Sequence, residues 1–206
     1  GYLLGVNNKI LDETFEIRKG GQMVRFAYDE ANPADTDIRK RAENEVIRGG
    51  VKVGKVDRET RKYTPLGNAT LEGAIFDIYN RSANPVWVNN KEYAVGEVVA
   101  TLVTKKQADG RFTDETTNQT LPYGTYEAVE RQTSRGYLYD KYSKAYKKTF
   151  TIRTDNEMAD LTKESANIDD HLLANNDKLA ASNQVIREDW HFKKKFDDNS
   201  ELQGNE

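Results

Sequence analysis

Residues 51–57 read Val-Lys-Val-Gly-Lys-Val-Asp. Val51, Val53 and Lys55 alternate with Lys52 and Gly54, the period-two pattern of a strand with one face buried. If Val51 and Val53 face a core, Lys55 faces it too. Burying an ammonium ion without a partner is expensive. The lysine therefore snorkels out at the strand end, or has a partner, or is not charged.

Working outward, the flanking sequence is a succession of short strands separated by turn chemistry. Residues 57–72 form a polar loop with Pro65 and Gly67. Ala74, Phe76 and Ile78 then alternate with Ile75, Asp77 and Tyr79. Val86-Trp87-Val88, Asn89-Asn90 and Lys91-Glu92-Tyr93 spell a hairpin with a two-residue turn. Residues 98–104 read as a strand, 105–120 as a polar, turn-rich connection, and Leu121-Pro122-Tyr123-Gly124 as a tight turn into a strand at 125–130. Further strands are expected at 148–153 and after 184. Residues 27–43 and 162–182 are polar and read as loops, with a short helix an option at 169–181. Many short strands and few helical periods define an all-β sandwich.

The chain also repeats itself. Residues 1–26 (GYLLGVNNKILDETFEIRKGGQMVRF) align without gaps to 136–161 (GYLYDKYSKAYKKTFTIRTDNEMADL), with 9 of 26 positions identical. Residues 44–48 (NEVIR) recur at 183–187 (NQVIR). The offsets are 135 and 139, too long for a solenoid repeat and right for a whole domain. The expected organisation is the C-terminal part of one domain at 1–48, a complete domain at 49–187, and the first strand of another at 188–206. Across the 139-residue offset, Trp190, Phe192 and Lys194 fall on Val51, Val53 and Lys55, and Asn44 falls on Asn183.

Composition narrows the function classes. The 31 basic and 34 acidic residues nearly cancel, leaving a net charge of -3. That disfavours nucleic-acid binding, which needs a basic excess to displace phosphate counterions. No apolar run reaches the length of a membrane span. With no cysteine there is no disulfide, thiolate metal site or cysteine nucleophile. The two histidines, His171 and His191, are far apart, so no metal site, cofactor or acid–base centre is expected.

Parity supplies partners for Lys55. On the strand at 125–130, Tyr126, Ala128 and Glu130 share a face, which turns Glu130 inward. On the terminal strand, Asn183 stands just before Val185-Ile186. A Lys, a Glu and an Asn on three strands of one sandwich can react with one another. Desolvation lowers the lysine pKa and raises that of the carboxyl. The neutral amine attacks the carboxamide carbon, and the acid polarises the carbonyl and shuttles protons. Ammonia leaves, and an amide joins the first and last strands, constraining the unfolded chain much as a disulfide does.

These residues resemble the B-type repeat domain of Gram-positive collagen adhesins, the SpaA-like or prealbumin-like domain of surface proteins and pilins. The matching motifs are Val51 to Asp57 and Leu71-Glu72-Gly73-Ala74-Ile75-Phe76-Asp77-Ile78-Tyr79. They continue with Leu121-Pro122-Tyr123-Gly124-Thr125-Tyr126, Val129-Glu130 before Gly136-Tyr137, and Asn183-Gln184-Val185-Ile186. The resemblance implies a Greek-key β-sandwich with an intramolecular isopeptide bond, Lys55 donor, Asn183 acceptor and Glu130 assisting. Thr133-Ser134 stands where the family often has Ala-Pro. The segment before Asn183 is longer and more polar than usual, which makes Asn167 and Asn175 alternative acceptors.

The function implied is a structural stalk module of a secreted, cell-wall-anchored surface protein, an adhesin or pilin-like protein. Its partners would be adjacent domains of the same chain and, through the parent protein, a host extracellular-matrix protein or glycan. Any chemistry is single-turnover, not that of an enzyme. The competing reading is a binding module presenting Trp87, Tyr93 and Tyr137. A nucleic-acid stacking surface at Tyr139, Tyr142 and Tyr146 is opposed by the net charge.

Overall fold

The computed structural model describes residues 1–3, 18, 20, 44–139, 146–164 and 180–188. Among these residues the fold is all-β, with twelve strands and no helix. His171, His191, Lys194, Asn167, Asn175 and Tyr142 lie outside the described residues, as does nearly all of the optional helix.

The VKVGKVD stretch lies in β1 (Arg48–Asp57), which organises one of the two main sheets. On one side β1 pairs in parallel with β11 (Glu157–Leu161) and, further along, with β12 (Ala181–Asn183). On its other side it pairs antiparallel with β8 (Leu121–Pro122) and β7 (Phe112–Glu115), and β6 (Lys105–Lys106) extends that edge. Being central and covered on both faces, β1 carries glycines where neighbours approach. A Cβ on Gly49 would stand 2.6 Å from the Glu157 carbonyl oxygen, and one on Gly54 would run into the Tyr63 hydroxyl.

The second sheet has the order β10-β9-β2-β5 and is wholly antiparallel. Its strands are β2 (Ile75–Asn80), β5 (Val98–Val103), β9 (Gly124–Gln132) and β10 (Lys147–Ile152). The inner faces of the two sheets bury Val51, Val53, Phe76, Ile78, Tyr126 and Ile152 among others. A smaller cluster with Val56, Tyr63, Leu71, Phe112 and Tyr137 covers the other face of β1. The hairpin forms as expected from β3 (Val86–Val88) and β4 (Lys91–Tyr93). Asn89 and Asn90 both have positive φ, 49° and 62°, the geometry that a two-residue turn of the twisted-hairpin type demands.

Three expectations need correction. Residues 105–120 are not simply a connection, because Phe112–Glu115 is β7 and pairs with Lys52–Gly54 of β1. Only Phe112 and Thr113 of that strand are buried, so it shows no apolar alternation. Leu121–Pro122 is extended and bridges to Arg48 and Gly49, so the bend is confined to Tyr123. The closing strand is 181–183 and ends at Asn183, so it lies ahead of residue 184 and not after it.

Parallel pairing of the first strand with the last sets the direction of the domain. Arg48 and Asn183 fall near opposite ends of β1, since Asn183 is opposite Asp57. At ~3.3 Å per residue that separates the incoming and outgoing chain by roughly 30 Å.

Candidate functional site

Lys55 follows Val51 and Val53 on the inner face of β1 and is completely buried. Glu130 closes the alternation Tyr126, Ala128, Glu130 on β9 and is 1% exposed. A register shift against β2 places Phe76 opposite Glu130 and Ile75 opposite Gln132. Arg131 is thereby left out of the pairing and turns outward to Asp77, Nε to Oδ2 at 2.7 Å. Lys55 Nζ donates to Glu130 Oε1 at 2.7 Å.

Asn183 comes from the third strand. In the parallel ladder Lys55 lies opposite Ala181, so Asn183, two residues on, is its diagonal neighbour on the same face. Lys55 Nζ contacts Asn183 Oδ1. The carboxamide is held from behind, Nδ2 donating to the Leu138 carbonyl at 2.8 Å. Its backbone is fixed as well, because Arg58 N–H donates to the Asn183 carbonyl at 3.1 Å. The three residues expected from parity and resemblance are thus within one hydrogen-bonded cluster.

The surroundings are apolar and aromatic. Tyr146 is buried beside Glu130, and its ring meets Phe76 edge-on with centroids 5.8 Å apart. Glu130 N–H donates to the Tyr146 carbonyl at 3.0 Å. Burial, with the Glu130 charge adding to it, pushes the Tyr146 phenol well above its usual range. Burial likewise pulls the Lys55 amine below its ordinary value, and the Glu130 carboxylate opposes that pull without cancelling it.

A second buried group lies next door. Asp57 accepts from the amides of Glu59 and Thr60 through Oδ1, both at 2.8 Å. Its Oδ2 accepts from the Tyr137 hydroxyl at 2.8 Å. This ties the Gly136-Tyr137-Leu138 segment, and hence the Leu138 carbonyl, to the end of β1. Burial, reinforced by Asp57, raises the Tyr137 pKa.

Sequence reasoning missed Tyr146 and Leu138. Tyr146 continues the inward alternation of Lys148, Phe150 and Ile152, so parity was a sufficient signal for it. Leu138 acts through a backbone carbonyl, which no side-chain pattern reports. The aromatics proposed as a platform do not share one role. Trp87 is 56% exposed, Tyr93 packs against the main core, and Tyr137 is buried on Asp57. Of the tyrosines weighed for stacking, Tyr146 is buried, while Tyr139 is exposed and donates to the Glu130 carbonyl at 2.9 Å. Thr133 Oγ1 and Ser134 Oγ, at the Ala-Pro position, are buried without a hydrogen-bond partner among the described residues. No cluster of metal-ligating side chains occurs among the described residues, and no described helix is long and apolar enough to cross a membrane.

The model of the SpaA family, described as a prealbumin-like fold domain, matches residues 49–166. That is more than half of the chain, and the chain belongs to this family. The matched span includes Lys55 and Glu130 and stops short of Asn183. Among solved structures, the chain is similar to the Bacillus anthracis TIE protein, at 24% identity and a TM-score of 0.34, over 57% of this chain and 17% of that one. It is similar to a streptococcal ancillary pilin at 24% identity and a TM-score of 0.36, over 72% and 33%. A group B streptococcus pilus 2b backbone protein matches at 21% identity and a TM-score of 0.30, over 54% and 39%. The chain therefore spans well under half the length of each. No curated protein matches it.

Proposed function

We propose that this chain is a structural stalk module of a secreted, cell-wall-anchored bacterial surface protein, closed by an isopeptide bond between Lys55 and Asn183. The observation that carries the reading is the buried Lys55 amine, in contact with both Glu130 and the Asn183 carboxamide. An ion pair in so apolar a place is poor stabilisation, because desolvation offsets most of its attraction. The same arrangement is well suited to reaction.

Glu130 takes a proton from Lys55 across their hydrogen bond, leaving a neutral amine. The amine lone pair attacks Asn183 Cγ, and the carbonyl π electrons move to oxygen. Glu130, now the acid, passes its proton to Nδ2. The oxyanion electrons re-form the C=O as the C–Nδ2 bond breaks and ammonia departs. One of the two protons on the new amide nitrogen is lost to Glu130 or to the ammonia, leaving a secondary amide. Tethering three strands in one fold supplies the proximity that a free amine and amide lack. The Leu138 carbonyl keeps the carboxamide from turning away. The reaction occurs once per molecule, so the chain is not an enzyme in the turnover sense. A wall-anchored stalk is the setting in which a thiol-free covalent closure is useful, and the repeat of terminal segments fits modules in tandem. A host matrix protein or glycan would be bound by the parent protein.

Intact-mass measurement of the purified chain tests the bond. The expected result is a deficit of one ammonia, absent in Lys55→Ala and in Asn183→Ala and absent or strongly reduced in Glu130→Ala. A wild-type mass equal to the sequence mass would eliminate the bond and leave a non-covalent module.

A further inference from the structure

The internal repeat extends to the hydrogen bonds, and this defines a surface. Near the start of the chain, Tyr2 and Val46 form an isolated antiparallel bridge. Leu3 N–H donates to the Glu45 carbonyl at 2.7 Å, and Ile47 N–H to the Gly1 carbonyl at 3.1 Å. Near the end, Tyr137 and Val185 form the same bridge. Leu138 N–H donates to the Gln184 carbonyl at 2.9 Å, and Ile186 N–H to the Gly136 carbonyl at 2.9 Å. Every partner is displaced by the sequence offsets of 135 and 139. The two segment pairs are one structural unit seen twice, the outgoing end of a module.

Their surroundings differ. The first unit is seated on a module. The Ile47 carbonyl accepts from Tyr123 N–H at 2.7 Å, and Ile47 packs against the main core. Gly1 lies so close to the Tyr123 ring that an added Cβ would stand 2.6 Å from it. Arg48 reaches the carbonyls of Trp87 and Thr120 at 3.3 and 3.2 Å. In the second unit, Ile186, the counterpart of Ile47, is 51% exposed. It borders a depression with Leu66, Ala69 and Gly136.

We infer that the surface around Gly136 and Ile186 docks a following module of the same fold, through that module's counterparts of Tyr123 and Trp87, and that the joint is rigid. The occupant is identified by what the equivalent surface already touches at the other end of the chain. Rigidity follows from the absence of any free linker residue. Ile47 bonds backward through its N–H to Gly1 and forward through its carbonyl to Tyr123, and Arg48 N–H already belongs to the next module through Asp155 Oδ1 at 3.2 Å. The inference rests on the stalk reading for the existence of tandem modules and not on the isopeptide bond.

The test compares two equivalent isoleucines. In the chain as it stands, Ile47→Asp should lower the denaturation midpoint and Ile186→Asp should leave it unchanged. In a tandem made by inserting a second copy of residues 49–187 after Arg187, Ile186→Asp at the internal joint should become as damaging as Ile47→Asp. Because the chain has no cysteine, Lys105→Cys in both copies gives two spin-label sites, and a narrow distance distribution is expected in the unsubstituted tandem. A broad distribution, or an internal-joint Ile186→Asp as silent as in the single chain, overturns the rigid joint. Intact mass of the same tandem separates the two ideas. Loss of two ammonias with a broad distribution sinks only the joint, and a narrow distribution without ammonia loss sinks only the cross-link.

Discussion

The buried cluster of Lys55, Glu130 and Asn183 joins three residues that sequence reports with very different clarity. Lys55 was legible because it shares a parity with Val51 and Val53, and Glu130 because it shares one with Tyr126 and Ala128. Asn183 was identified by position within a resemblance, since one asparagine in a polar stretch carries no periodicity. Its strand is only three residues long and is held by pairing to β1, a tertiary contact. If the bond forms, Asn183→Ala opens a covalent loop spanning 128 residues. The chain-entropy treatment puts the cost at about 5 kcal/mol, to be read from denaturant midpoints. The opened protein should also acquire a pH dependence. Lys55 then keeps its amine, with a native pKa below the unfolded value near 10.5. Between those two values the unfolded chain binds more protons than the folded one, so stability rises with pH through that window. The rise should be lost in Asn183→Ala/Lys55→Met, and the difference between the two variants is the contribution of Lys55 itself. The double variant is the proper reference because Tyr63, raised to about 12 by burial, pulls stability the other way at the alkaline end.

Among the elements, β1 determines most of the fold, and its sequence announced it. Where the sequence was silent, the reason is physical. β7 is a polar edge neighbour of β1 and owes its extended form to pairing instead of apolar alternation. The β3–β4 hairpin was readable because consecutive asparagines tolerate positive φ. The glycines of β1 were noticed only as gaps in the pattern, and the structure gives them a role. The Tyr63 hydroxyl crosses over Gly54 and donates to the Thr162 carbonyl at 2.6 Å. Gly54→Ala should break that bond and force the strands apart, at a cost of about 1–3 kcal/mol by analogy with overpacked cores. Equilibrium unfolding of Gly54→Ala beside Gly67→Ala, whose site has open space but positive φ, separates crowding from backbone strain. The crowded site should be the more damaging.

For the whole molecule, covalent closure has a simple readout. Lys105 and Lys106 are exposed on the outermost strand, between the cross-linking positions. A single tryptic nick there should leave both pieces migrating together on a denaturing gel, and they should separate in Asn183→Ala. Two separate bands from the wild type would contradict the closure. The internal repeat implies domain limits at 48 and 187, and the matching bridges give that repeat a physical form. The parallel alignment of β1 with β11 and β12 has a mechanical consequence. Traction applied through Arg48 and Asn183 runs along the ladders joining these strands, not across them. The ladder bonds then bear the load together instead of peeling one by one, so yielding demands that many fail at once. An amide between Lys55 and Asn183 would carry the load past the 127 intervening residues altogether, making the module act under traction like a short strut.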